Sequence, residues 1–177
     1  MIGVLVSGEG TNLQALIDAG LPIAAVASNR ADARALARAD AAGIPNRVFP
    51  LERFPDRAAR DRDLADWLQL RGVDLVVLAG YMHLLTTPFL ERFPGRIVNV
   101  HPSLLPSFPG ARAVADALAA GAETTGVTVH YVDEGTDSGP VIRQEPVAVE
   151  PRETLLDRIH AVEHRILPDV VRELCAP

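Results

Sequence analysis

Three times in its first 80 residues the chain runs a short apolar stretch into a turn, at Ile2–Val6, 23–27 and 74–79, and a helix-forming pattern follows. Strands that alternate with helices in this way pair in parallel, and they read as continuous apolar runs because both of their faces are covered. The first run meets Ser7-Gly8-Glu9-Gly10-Thr11-Asn12, after which Leu13, Leu16 and Ile17 recur at helical spacing. The second ends at Ser28-Asn29 and passes into an alanine-rich helix over 31–42 that Gly43 stops. A short strand over 46–49 precedes a helix over 56–70, with Leu64, Trp67, Leu68 and Leu70 partly on one side and arginines 57, 60 and 62 read as solvated. The run 74–79 reads as a central strand. Its C-terminal end delivers Gly80-Tyr81-Met82-His83-Leu84-Leu85, and in open α/β sheets ligands bind at that end.

After a short helix over 87–93 comes Ile97-Val98-Asn99-Val100-His101-Pro102-Ser103-Leu104-Leu105-Pro106, a β-branched strand closed by prolines that cannot donate to a ladder. Side chains alternate along a strand, so Asn99 and His101 share one face. An amide beside an imidazole is the minimum equipment for chemistry at a carbonyl carbon, one to stabilise an oxyanion and one to move a proton. A stiff turn over 105–110 and a helix over 113–120 lead to an alternating strand over 125–132. The acidic loop Asp133-Glu134-Gly135-Thr136-Asp137-Ser138-Gly139-Pro140 then joins it to a hairpin partner over 141–149. A long amphipathic helix over 153–174 closes the chain. The reading is α/β, with a sheet that is parallel in its N-terminal half and mixed in its C-terminal half. At 177 residues and 48% hydrophobic, a single domain over 1–177 is expected.

A net charge of −6 and a pI near 5.3 argue against nucleic acid or an anionic membrane as partner, which leaves small molecules. The chain opens on a strand without a signal-like segment and has no run of membrane-spanning length, so a cytoplasmic protein is expected. A lone Cys175 cannot form an internal disulfide. All 17 basic residues are arginine, which excludes a Schiff-base lysine and a P-loop lysine.

The glycine turn after the first strand lets backbone approach a ligand, with Thr11 or Asn12 expected to cap the helix and its N-terminus favouring an anion. Leu13 stands where a dinucleotide fingerprint needs a third glycine, so a smaller phosphate fits better than a nicotinamide cofactor. His160-Ala161-Val162-Glu163-His164 matches an inverted zinc-protease pattern, but only 13 residues follow it, with Glu173 one of the few candidates for a third ligand, and no metal is expected. His83 and His130 read as structural histidines. Asp137 differs, because its loop follows a strand that could neighbour the one bearing His101. A carboxylate there would hold the imidazole's tautomer and favour its cation.

Three stretches, Ser7 to Gln14, Asn99 to Pro106 and Asp137 to Ile142, together resemble the signatures of the phosphoribosylglycinamide formyltransferases, folate-dependent enzymes of purine synthesis. The resemblance implies a Rossmann-like open sheet with helices on both faces. It also implies transfer of a formyl group from 10-formyltetrahydrofolate, without a metal, to the amine of a phosphoribosyl glycinamide. In that reading Asn99, His101 and Asp137 are catalytic, and Gly10, Thr11, Asn12 and Glu163 bind the acceptor. Met82, His83, Leu84, Leu85, Asn99, Val132, Asp133, Glu134, Gly135, Thr136 and Asp137 line the cosubstrate, with Arg57 at its outer side. A monomer or weak homodimer is expected. Glu9 departs from the family, which usually carries an uncharged residue there, and its side chain is expected to point into solvent. Two readings compete: a formyltetrahydrofolate hydrolase, in which water replaces the amine, and a non-catalytic folate or nucleotide module, which would not need the trio.

Overall fold

The computed structural model describes residues 1–176. They form two compact units, Met1–Val98 and the residues from Asn99 onward, with the division inside one strand.

In the first unit, β1 (Ile2–Val6) is buried along its whole length and pairs in parallel with β2 (Ile23–Ser28) on one side and β4 (Leu75–Leu78) on the other. β3 (Asn46–Val48) lies parallel beyond β2, which gives the order β3-β2-β1-β4, and β5 (Ile97–His101) starts beside β4. The apolar runs are thus the inner strands of a parallel sheet, as their lack of alternation predicts. Three helices connect them: α1 (Thr11–Asp18), α2 (Arg34–Ala41) and α3 (Arg57–Gln69), with the short α4 (Thr87–Leu90) after β4. α3 starts where Asp56 accepts a hydrogen bond from the Ala59 N–H at 2.7 Å, an N-cap of the usual acidic kind.

Three expectations need correction here. Neither Thr11 nor Asn12 caps α1; Gly10 occupies the N-cap in a left-handed conformation. Leu70 is 87% exposed, because α3 has ended and its apolar stripe with it. Arg60 is not solvated but fully buried, with its Nε 2.6 Å from an equally buried Asp61.

In the second unit the strand order is β5-β6-β7, with β6 (Thr124–Tyr131) and β7 (Val141–Ala148) forming an antiparallel hairpin. α5 (Ala113–Ala119) joins β5 to β6. α6 (Leu155–Cys175) buries Leu155, Ile159, Ile166, Leu167, Val170 and Val171 along one stripe, each worth roughly 1.5–3 kcal/mol of transfer free energy. It runs through Pro168 without ending. No described helix is long and apolar enough to cross a membrane.

Candidate active site

The candidate residues fall in both units. In the second, β5 presents Asn99 and His101 on one face, and the loop after β6 returns Asp137 to them. Asn99 Nδ2 donates to Asp137 Oδ1 at 3.4 Å, and His101 Nδ1 stands 3.4 Å from Asp137 Oδ2. The backbone at Asp137 is left-handed, φ 53°, an uncommon conformation for a residue with a side chain, and it is fastened by the Gly110 N–H, which donates to Oδ2 at 2.7 Å. The three residues picked from sequence therefore share one cluster.

His130 joins them, although its sequence context reads as structural. Its Nδ1 lies 2.8 Å from the Tyr131 carbonyl, which only accepts, so that nitrogen carries a proton. Its Nε2 points into the cluster, 3.2 Å from Asn99 Nδ2 and 3.6 Å from Asp137 Oδ1. The one signal in the sequence is that His130 sits on the alternating strand leading straight to the Asp137 loop. Hydrogen bonding from His130 is the main reason the Asp137 carboxyl lies below its ordinary value. The Gly110 N–H and the charges of His101 and His130 act in the same direction, against the cost of burial. Asp137 is thus a carboxylate at neutral pH.

His101 is almost fully buried, with Nε2 2.8 Å from the Phe108 carbonyl. Both of its ring nitrogens face acceptors, a carbonyl and a carboxylate. The Phe108 carbonyl is held in place from several sides. Ser103 Oγ donates to it at 3.2 Å and to Ser107 O at 2.5 Å. Buried Thr128 accepts from Leu105 N and donates to Ser103 O at 2.7 Å, while Gln144 donates to Leu105 O at 2.8 Å. Of the loop residues singled out, Val132 is half-buried, and Asp133, Glu134, Gly135 and Thr136 are exposed. Glu163 is buried on α6, and the neighbouring His160 and His164 rings stack at 5.9 Å. Among the described residues no group of three or more His, Cys, Asp or Glu is placed to hold a metal ion.

In the first unit, the turn after β1 is clamped by α2. Ala35 N–H donates to Gly8 O at 3.0 Å, and Arg38 Nε donates to Glu9 O at 2.8 Å. Thr11 and Asn12 open α1, whose first turn directs backbone N–H groups out of the helix end, the usual setting for an anion. The Glu9 side chain is exposed, as expected, and it pairs with Arg34 at 3.1 Å, a partner that sequence spacing did not suggest. At the end of β4, Met82 and Leu84 are 64% and 56% exposed, while the His83 ring turns inward and Leu85 is half-buried. Arg57 is exposed at the first position of α3.

The formyl transferase family matches residues 1–171. A phosphoribosylglycinamide formyltransferase of Haemophilus influenzae is 43% identical, with 97% of this chain and 85% of that protein covered. The chain belongs to the phosphoribosylglycinamide formyltransferase family. A crystal structure of glycinamide ribonucleotide transformylase 1 from Symbiobacterium toebii superposes with a TM-score of 0.94 at 49% identity, covering 97% of this chain and 85% of the other. The fold over nearly the whole chain is therefore the family's α/β fold. A trifunctional purine biosynthetic protein of Drosophila pseudoobscura pseudoobscura is 46% identical over 94% of this chain, which spans 13% of that protein's length.

Proposed function

We propose that this member of the family is an enzyme of purine biosynthesis that moves the formyl group of 10-formyltetrahydrofolate to the amine of N1-(5-phospho-D-ribosyl)glycinamide. We further propose that residues 1–177 work as one cytoplasmic formyltransferase domain, as a monomer or weak homodimer. The observation that carries the reaction is the cluster of Asn99, His101 and Asp137, with His101 between two acceptors.

Attack of the amine on the formyl carbon produces a tetrahedral oxyanion. Asn99 donates to that oxygen, a well-placed donor contributing about 3 kcal/mol, and the His101 cation stabilises it by its charge, with the long contact from Nδ1 to Asp137 the one it can exchange for a direct hydrogen bond. Asn99 already donates to Asp137 at 3.4 Å, so binding exchanges that long hydrogen bond for a shorter one to the oxyanion. Collapse breaks the bond from carbon to N10. The proton lost by the amine returns to N10, and Asp137 keeps the imidazole oriented throughout. Backbone N–H groups at Gly10, Thr11 and Asn12 take the phosphate, and Glu163 meets the glycinamide end. The apolar side chains of Met82 and Leu84 and the loop from Val132 to Asp137 hold the pterin, with Arg57 at its outer side.

The deciding measurement is consumption of 10-formyltetrahydrofolate with and without the acceptor. Consumption is expected only with acceptor, giving one formylated product per tetrahydrofolate released. Equal rates in both would make the protein a hydrolase, and no consumption would leave only the binding module.

The pair formed by Glu9 and Arg34 yields a second expected result. With Arg34 present, the Glu9 charge is matched locally, so the phosphate sees little net repulsion. Arg34→Gln is expected to raise the KM for the phosphorylated acceptor about two- to fivefold at low ionic strength, an effect that added salt removes. The double variant with Glu9→Gln should return to the starting value. A KM unmoved by Arg34→Gln would place the phosphate away from this turn.

A further inference from the structure

The His83 ring lies within a polar chain that runs through the first unit. Arg60 Nη1 is 2.9 Å from His83 Nδ1, and Arg60 Nε is bonded to buried Asp61. Asp61 Oδ2 in turn accepts both the N–H and the hydroxyl of Thr86 at 2.8 Å. On the other side, His83 Nε2 is 3.2 Å from Asn29 Nδ2, while Ser7 Oγ donates to Asn29 Oδ1 at 2.5 Å and accepts the Met82 N–H at 2.9 Å. Both ends of the segment from Met82 to Thr86 are thus tied to this chain, and His83 is its middle link.

A guanidinium only donates, so His83 Nδ1 must accept. The ring is then neutral with its single proton on Nε2. That proton needs an acceptor where Asn29 Nδ2 now stands, so the Asn29 amide turns over by a half-turn, placing its oxygen against Nε2 and its Nδ2 as donor to Ser7 Oγ. Arg60, Arg57 and Asp61 are the charged groups around the ring. Burial, followed by the charges of Arg60 and Arg57, lowers its pKa, with Asp61 opposing, so the neutral form persists through neutral pH.

We propose that His83 is a positioning residue for the cosubstrate. Its neutral, Nε2-protonated ring bridges Arg60 to Asn29 and so holds the backbone from which Met82 and Leu84 project as an exposed apolar surface for a flat ring. This role rests on the reading of residues 82–85 as the pterin segment. It differs from direct contact, since the imidazole is used on both sides by the protein itself. Removing it leaves the Arg60 Nη1–H without the acceptor it has at His83, while Asp61 still holds Nε, and it loosens the middle of the segment.

Two measurements test it. His83→Phe is expected to raise the KM for 10-formyltetrahydrofolate about tenfold or more, the scale for losing a hydrogen bond to a charged group, while kcat and the acceptor KM change less than about threefold. His83→Asn, whose amide oxygen can accept from Arg60, should recover most of that loss. Lowering the pH through the His83 value, which lies under the ordinary 6.5, should raise the cosubstrate KM of the wild type more than that of His83→Asn. Independently of any activity, imidazole nitrogen NMR at neutral pH should find His83 neutral and protonated on Nε2. An absence of formyl transfer by the wild type would defeat the functional reading, while the NMR result would still decide the tautomer. A proton on Nδ1, or an unchanged cosubstrate KM in His83→Phe, overturns the proposal.

Discussion

His101→Ala is expected to lower kcat by about a hundredfold or more with the protein still folded, the scale for loss of a proton-transfer group or an oxyanion donor. The fold should survive because the loop that His101 touches has other supports. Ser103, Thr128 and Gln144 hold Phe108 and Leu105 without it. Asp137→Ala should reduce kcat on a similar scale, by freeing the imidazole and removing the acceptor for the Gly110 N–H. The double variant should lie close to the worse single one, since the two groups act as a unit on one transition state. Because the Asp137 pKa is depressed in the folded protein, its carboxylate adds stability at neutral pH. That stability is lost only as the pH falls from the ordinary carboxylate range through the lowered folded value. Any loss of activity between pH 7 and 5 therefore comes from another group. Single-turnover kinetics measures the chemical step directly, and a His101→Ala protein with full activity would end this mechanism.

How far the sequence could be read depended on how local each cause was. β1 and β4 announce themselves by uninterrupted apolar residues, and the hairpin of β6 and β7 by alternation on either side of a glycine-containing loop. The grouping of Asn99, His101 and Asp137 was legible because strand alternation puts the first two on one face and the signature stretches contain all three. Arg60 was not, since nothing in a helix that also carries Arg57 and Arg62 distinguishes the one arginine that turns inward. Its burial depends on Asp61 beside it and His83 more than twenty residues away. His130 was missed for the same reason, because its neighbours Asn99 and Asp137 come from other elements. α2 starts at Arg34 and not at 31, because Ser28, Arg30 and Asp32 bond one another and hold the preceding residues in a turn. That competition between side chain and helix cannot be seen in an alanine-rich composition.

The glycine turn poses a question that its sequence leaves open, namely which of Gly8 and Gly10 the fold requires. Gly10 has φ +73°, and a Cβ there would lie 2.5 Å from Ala35 Cβ and 2.7 Å from Ala35 Cα. Gly8 has neither constraint, since a Cβ there would meet nothing within 4 Å. For Gly10→Ala the left-handed conformation costs about 1–2 kcal/mol and the overpacking against α2 about 1–3 kcal/mol more. A loss of about 2–5 kcal/mol is large against the 5–15 kcal/mol, roughly, that such a domain has. Relief can come only by moving α2, because the obstructing atoms include backbone and a methyl group that has no rotamer to change. That movement would pull at the Ala35 and Arg38 hydrogen bonds to Gly8 and Glu9, the contacts that shape the turn. Gly10→Ala is therefore expected to lower the urea midpoint well below that of Gly8→Ala, whose stability should stay within about 0.5 kcal/mol of the parent. Where Gly10→Ala remains folded, its KM for the phosphorylated acceptor should rise about tenfold or more, because the N–H groups at Thr11 and Asn12 would no longer converge on one anion. A Gly10→Ala protein as stable as the parent would mean that α2 does not press on this turn, and the clamp described here would be wrong.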